Sequence, residues 1–163
     1  MTERPNLTVA LIFPSHRRSS RVNREFEEFV SNHIGKRESF ALETTLRSDI
    51  TFRQAHQARS AGFEVIMHYI ALGDVEVNLK RIRARAAAGG HSASEATLRA
   101  IHAASLRNLT TAFRELDQVL VYDNSQPAGR PEVIYSTRRG RPDYVAATLP
   151  DWLIQVLQGT EFA

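Results

Sequence analysis

Two stretches of this 163-residue chain carry side chains whose types and spacing could do chemistry, and a third could move them. Glu43-Thr44-Thr45 directly follows a short apolar run, Phe40-Ala41-Leu42. A carboxylate there could bind ligand hydroxyls or take a proton, and the threonine hydroxyls could donate to an anion. The same three residues could also simply end a strand and cap the next helix. Arg81 and Arg85 are four apart in a helical segment and share a face, while Arg83 points elsewhere. Like charges on one face are unfavourable unless an anion sits beside them. The pair therefore reads either as a phosphate clamp or as a solvated basic face with Glu76 spaced to pair with Lys80. Gly89-Gly90-His91 follows, as a hinge or as a plain C-terminal cap.

Other chemistries are excluded or disfavoured. The chain has no cysteine, so disulfides, thiolate catalysis and cysteine-ligated zinc are ruled out. The six histidines show no H-E-x-x-H or related spacing, and no metal is assigned to protein ligands. Arg138-Arg139-Gly140-Arg141 could touch nucleic-acid phosphates. With a net charge of +3 and only Tyr135 and Tyr144 as nearby aromatics, a solvated loop is the favoured reading. Lys36 and Lys80 are the only lysines, so nearly all basic residues are arginines, which suit bidentate phosphate or carboxylate binding. A biased genome composition would produce the same excess. No apolar run approaches the roughly 18 residues of a membrane helix, and Met1-Thr-Glu-Arg-Pro lacks a signal-peptide pattern. The expectation is a cytoplasmic protein with no membrane partner.

The elements that must position these residues follow from periodicity. Leu7 to Phe13 is a continuous apolar run of strand length, and Pro14 to Ser20 a polar loop. Val22, Phe26, Phe29 and Val30 recur at helical spacing between Arg21 and Gly35. A short strand over Phe40 to Leu42 precedes a helix over Asp49 to Ala61, with Ser48 or Asp49 as N-cap and Gly62 past its end. Phe63 to Leu72 is the longest predicted strand, and Val75 to Ala88 a helix with Val75, Leu79 and Ile82 inward. Ser92-Ala-Ser-Glu95 has the form of a capping box for a helix from about Ala93 to Leu116. Gln118 to Tyr122 is a further strand, followed by a turn through Gly129. Val133 to Ser136 reads as a last edge strand, and Pro150 to Gln158 as a closing helix. Strands alternating with helices predict one α/β domain over 1–163 with a mainly parallel sheet flanked by helices.

Four segments resemble a known family. Phe40-Ala-Leu-Glu43-Thr44-Thr45-Leu46 is similar to the F-x-x-E-T-T-L stretch of zeta-toxin-like P-loop kinases. Arg81 to Arg85 with Gly89-Gly90-His91 resembles that family's R-x-x-x-R…GGH segment, Ser105-Leu106-Arg107-Asn108-Leu109 its S-L-x-N-L helix, and Tyr122-Asp123-Asn124-Ser125 its Y-D-N-S turn. The matches occur in order over about residues 37–125. The resemblance implies a three-layer P-loop-kinase-like fold in which ATP with Mg2+ phosphorylates a small hydroxyl acceptor such as UDP-N-acetylglucosamine. It also implies an antitoxin protein as a partner. Carried over by position, Glu43, Thr44 and Thr45 would hold the acceptor, Arg81 and Arg85 would stabilise the transferring phosphoryl group, and Asp123 and Asn124 would lie near the nucleotide base.

The front end departs from the family. A P-loop needs G-x-x-x-x-G-K-[ST], whereas Phe13-Pro-Ser-His-Arg-Arg-Ser-Ser follows the first strand, with neither glycine nor lysine. Gly35-Lys36 does not supply one, because Val30 stands for the first glycine and Arg37 for the hydroxyl. No N-x-D stretch supplies a catalytic aspartate. Arg17, Arg18 and Ser19 are the residues placed to meet nucleotide phosphates, but they cannot replace a row of glycine-loop amides. The sequence thus leaves two readings: a weak or inactive phosphotransferase, and a non-catalytic binding module that keeps the acceptor surface.

Overall fold

The computed structural model describes residues 4–11, 20–71, 75–87, 93–125 and 130–163. In chain order these form β1 (Asn6–Leu11), α1 (Ser20–Lys36), β2 (Phe40–Thr44), α2 (Ile50–Ser60), β3 (Glu64–Ala71) and α3 (Val75–Ala87). Then come α4 (Glu95–Glu115), β4 (Gln118–Asp123), β5 (Glu132–Arg138), β6 (Arg141–Val145) and α5 (Asp151–Leu157). One six-stranded sheet runs β2-β1-β3-β4-β5-β6.

The sheet is mixed. β1 pairs in parallel with β2 and β3, and β3 with β4, but β4–β5 and β5–β6 are antiparallel. The connections explain the change: helices carry the chain back between the first four strands, whereas only eight residues link β4 to β5 and two link β5 to β6, too few for a parallel crossover. Arg139 and Gly140 both have positive φ, the combination a two-residue hairpin turn requires, with Arg138 paired to Arg141 across it. The basic loop expected at 138–141 is therefore this turn. The last edge strand is β6, not the segment at 133–136; Pro142 is tolerated there because an edge strand leaves amides unpaired.

Strand alternation sorts the parallel part of the sheet into two faces. Leu7, Val9, Phe40, Leu42, Val65, Met67, Tyr69, Val119 and Val121 are buried on one. They share a core with Val30 of α1, Ala55 and Ala58 of α2, Leu109 and Phe113 of α4, and Leu153 and Leu157 of α5. On the other face Thr8, Ala10, Ile66, His68, Ile70, Leu120 and Tyr122 are half-buried. A smaller cluster of Leu79, Ile82 and Leu98, with Val75 against it, joins α3 to the start of α4.

The helix ends show where local signals competed. Gly62, past α2, adopts φ +86°, as its position predicts. Asp49 stands at the N-cap of α2 but makes no cap bond; its carboxylate instead pairs with Arg53 at 2.8 Å. For α4 the cap is Ser94, whose Oγ accepts from the Thr97 amide at 3.3 Å. Glu95, expected to close a box with Ser92, binds Arg99 and Arg83, charge-assisted bonds that hold it against α3. Ser92 lies outside the described residues.

Candidate functional site

Strand order alone marks a place for a ligand. From β1 the chain passes first to β2 on one side and later to β3 on the other, so the ends of β1 and β3 flank a topological switch point. In open α/β sheets ligands settle outside the carboxyl ends of the strands at such a point. Glu43 and Thr44 end β2 there, and Asp123 ends β4.

The turn after β2 is held from several directions. Thr44 Oγ1 is hydrogen-bonded to Thr51 Oγ1 at 2.8 Å and accepts the Leu46 amide at 3.1 Å. Leu46 is fully buried with φ +51°, a left-handed conformation that costs a branched side chain about 1–3 kcal/mol and persists only where its surroundings impose it. Asn108 Nδ2, from α4, donates to the Leu46 carbonyl at 2.8 Å. Glu43 stays exposed, as does Arg47 on the far side of the turn. Thr45 is 8% exposed, so its role is to pack the turn rather than to present a hydroxyl.

A second junction lies at the end of β4. Arg81, half-buried on α3, donates to the Asn124 carbonyl at 3.2 Å, and the Asn124 amide continues the sheet by donating to Ala71. Asp123 Oδ1 accepts both the amide and the hydroxyl of Ser125, an Asx turn. Asp123 Oδ1 and the Asn124 backbone thus shape the turn. Arg83, as expected, faces away from Arg81 and pairs with Glu95. Glu76 pairs with Arg99 rather than Lys80.

Helix α4 connects these parts. Ser105 is buried and its Oγ meets Tyr69 Oη at 3.0 Å; burial pushes the Tyr69 hydroxyl up to about 12, partly offset by that bond. The segment from Ser105 to Leu109 therefore anchors β3 through Ser105 and the Glu43 turn through Asn108. Sequence reading missed Asn108 and Thr51 as residues that hold the turn. The Ser105-Leu106-Arg107-Asn108-Leu109 segment, which contains Asn108, was the available signal.

Of the residues singled out in the sequence, Arg17, Arg18 and Ser19 lie outside the described residues, as do Gly89, Gly90 and His91. Arg85 lies in α3, with its side chain outside the described set. Glu43 and the Arg81–Asn124 junction share one sheet edge but stand three strand spacings apart, roughly 14 Å. Among the described residues no group of three His, Cys, Asp or Glu could hold a metal, and no helix is long and apolar enough to cross a membrane. At the β4 junction Asp123 Oδ1 is taken up by Ser125, and Arg81 is the cation bonded there among the described residues.

No family model and no solved structure matches the chain. Among curated proteins it is similar to an "Uncharacterized protein" of Haemophilus influenzae (strain ATCC 51907 / DSM 11121 / KW20 / Rd), 37% identical over 70 residues. That match covers 43% of this chain and 47% of the relative, so it spans about half the length of the curated protein.

Proposed function

We propose that this chain is a zeta-toxin-like protein of the P-loop kinase class that keeps the acceptor half of the site and binds an elongated, anionic, hydroxyl-bearing molecule such as UDP-N-acetylglucosamine. The observation that carries this reading is the pairwise meeting of segments distant in sequence. Asn108 bonds the Leu46 turn, and Arg81 bonds the Asn124 turn, both on the carboxyl edge of the parallel strands. Glu43 then offers a carboxylate to hydroxyls. Arg81, held among the described residues by a backbone carbonyl and no carboxylate, can turn toward a phosphate. A ligand touching both must span roughly 14 Å, the proportions of a nucleotide sugar rather than a simple alcohol. The three-layer kinase fold, Mg-ATP and an antitoxin partner enter through the sequence resemblance alone.

Thermal unfolding with UDP-N-acetylglucosamine or Mg-ATP tests this. A ligand at 100 times its dissociation constant stabilises by about 2.7 kcal/mol, a shift of roughly 5–10 °C for a domain of this size. The sugar nucleotide is expected to shift the transition, and Arg81→Ala to abolish the shift. No shift with the sugar nucleotide removes the acceptor reading. The second reading, an active phosphotransferase, draws on the same Arg81 placement; it requires a shift with Mg-ATP and phosphorylated acceptor as product.

A further inference from the structure

We infer that the half-buried face of the sheet carries a sugar-binding site seated over Ala10 and walled by Glu43, His68 and Tyr122. The inference rests on the acceptor reading above and names where the hydroxyl-bearing part of that ligand lies. Strand register places the residues. Ala10 on β1 is aligned with Glu43 on β2 and with His68 on β3, and all three fall on the face opposite the helical core. Glu43 and His68 therefore stand about 10 Å apart, two strand spacings, with Ala10, whose side chain is a methyl group, as the residue between them in the register. That gap has the width of one pyranose ring, and it lies one residue before the end of β1, at the switch point.

The chemistry of the walls selects the ligand. Tyr122 Oη is hydrogen-bonded to His68 Nδ1 at 2.9 Å, and the two rings stack 5.7 Å apart at 26°. This fixes the imidazole and leaves Nε2 as the nitrogen available to a ligand; among the described residues it has no protein partner. Across the gap the Glu43 carboxylate is exposed and unpaired among the described residues. Ile66 and Ile70 flank His68 along β3 on the same face. A carboxylate and an imidazole on strands either side of a small apolar residue present hydrogen-bond acceptors and a donor with no cation bonded to either among the described residues. That set suits the neutral hydroxyls of a sugar better than a phosphate, which the carboxylate would repel, and it separates the sugar end of the ligand from the Arg81 end.

The test uses the full chain and the histidine ring signals in NMR, titrated with UDP-N-acetylglucosamine and with free N-acetylglucosamine. The His68 signals should move saturably with both. Ala10→Leu, which fills the gap on a face outside the core, should weaken binding by roughly tenfold, because added methylenes in an occupied site displace ligand contacts. Ala41→Leu, on the same face but one row away, should leave binding unchanged and shows that added bulk alone is not the cause. His68→Gln should also weaken binding. If the sugar nucleotide stabilises the protein while the His68 signals stay still, or Ala10→Leu binds normally, this site is overturned and the acceptor reading survives. If neither sugar moves His68 or the melting transition, both fall.

Discussion

The backbone at Leu46 shows how much a single residue can carry. A buried leucine with positive φ is a rare conformation, and the bonds from Asn108, Thr44 and Thr51 account for its persistence. Without Asn108 the Leu46 carbonyl loses its partner, which typically costs about 1–3 kcal/mol for a buried group. Asn108→Leu should therefore lower the melting temperature by roughly 3–10 °C and weaken sugar-nucleotide binding beyond what an equally destabilising core change such as Val156→Ala does. Equal loss in both variants would mean that Asn108 holds the fold and not the site. The Glu43-Thr44-Thr45 stretch was legible as a strand end carrying polar side chains from its residue types. That Thr45 would be buried was not legible, because which hydroxyl faces outward depends on a backbone reversal imposed by α4.

At the scale of elements, α4 is the member that ties the site to the core. Its buried stripe, Leu98, Ile101, Ser105, Leu109 and Ala112, has one polar residue, and that residue meets the Tyr69 hydroxyl on β3. Ser105→Ala should strand a hydroxyl in the core and destabilise by about 1–3 kcal/mol, whereas Ser105→Ala combined with Tyr69→Phe should restore much of the loss. Chemical denaturation of the single and double variants measures this coupling. Additive losses would show that the two hydroxyls do not depend on one another. The periodicity of α4 was plain in the sequence, but its cap was not, since two serines precede Glu95. The structure places the cap at Ser94, while Glu95 pairs with Arg99 and with Arg83 of α3, and its carboxyl lies below its usual range chiefly through the Arg99 bond.

Over the whole molecule, the C-terminal segment closes the core. Phe162 is buried against Phe113, its carbonyl accepts from Tyr135 Oη at 2.9 Å, and Arg114 binds the adjoining Glu161 through both carboxylate oxygens. The Arg114 hydrogen bonds are the first cause that holds the Glu161 carboxyl down to about 2 from 4.5. A depressed carboxylate contributes stability that is present above 4.5 and lost as pH falls through about 2. Glu161→Gln should therefore lower stability slightly at neutral pH, by little because the pair is exposed and screened, and the two proteins should converge in stability as pH falls through that window. An unchanged acid limb in thermal scans would remove this pair from the pH dependence.

The sequence by itself determined the α/β class, the positions of α1 to α5 and of β1 to β5 to within a few residues, and the candidate residues Glu43 and Arg81. Each depends on local periodicity, caps and side-chain chemistry, which act over a few residues and are written in the chain. Tertiary structure alone decided the mixed sheet and the hairpin that puts Arg138–Arg141 in a turn. It also decided the hold of Asn108 on a turn 62 residues away, and the row of Glu43, Ala10 and His68. Strand register is set by how helices and turns close the sheet, so which side chains become neighbours across it is a property of the packed chain.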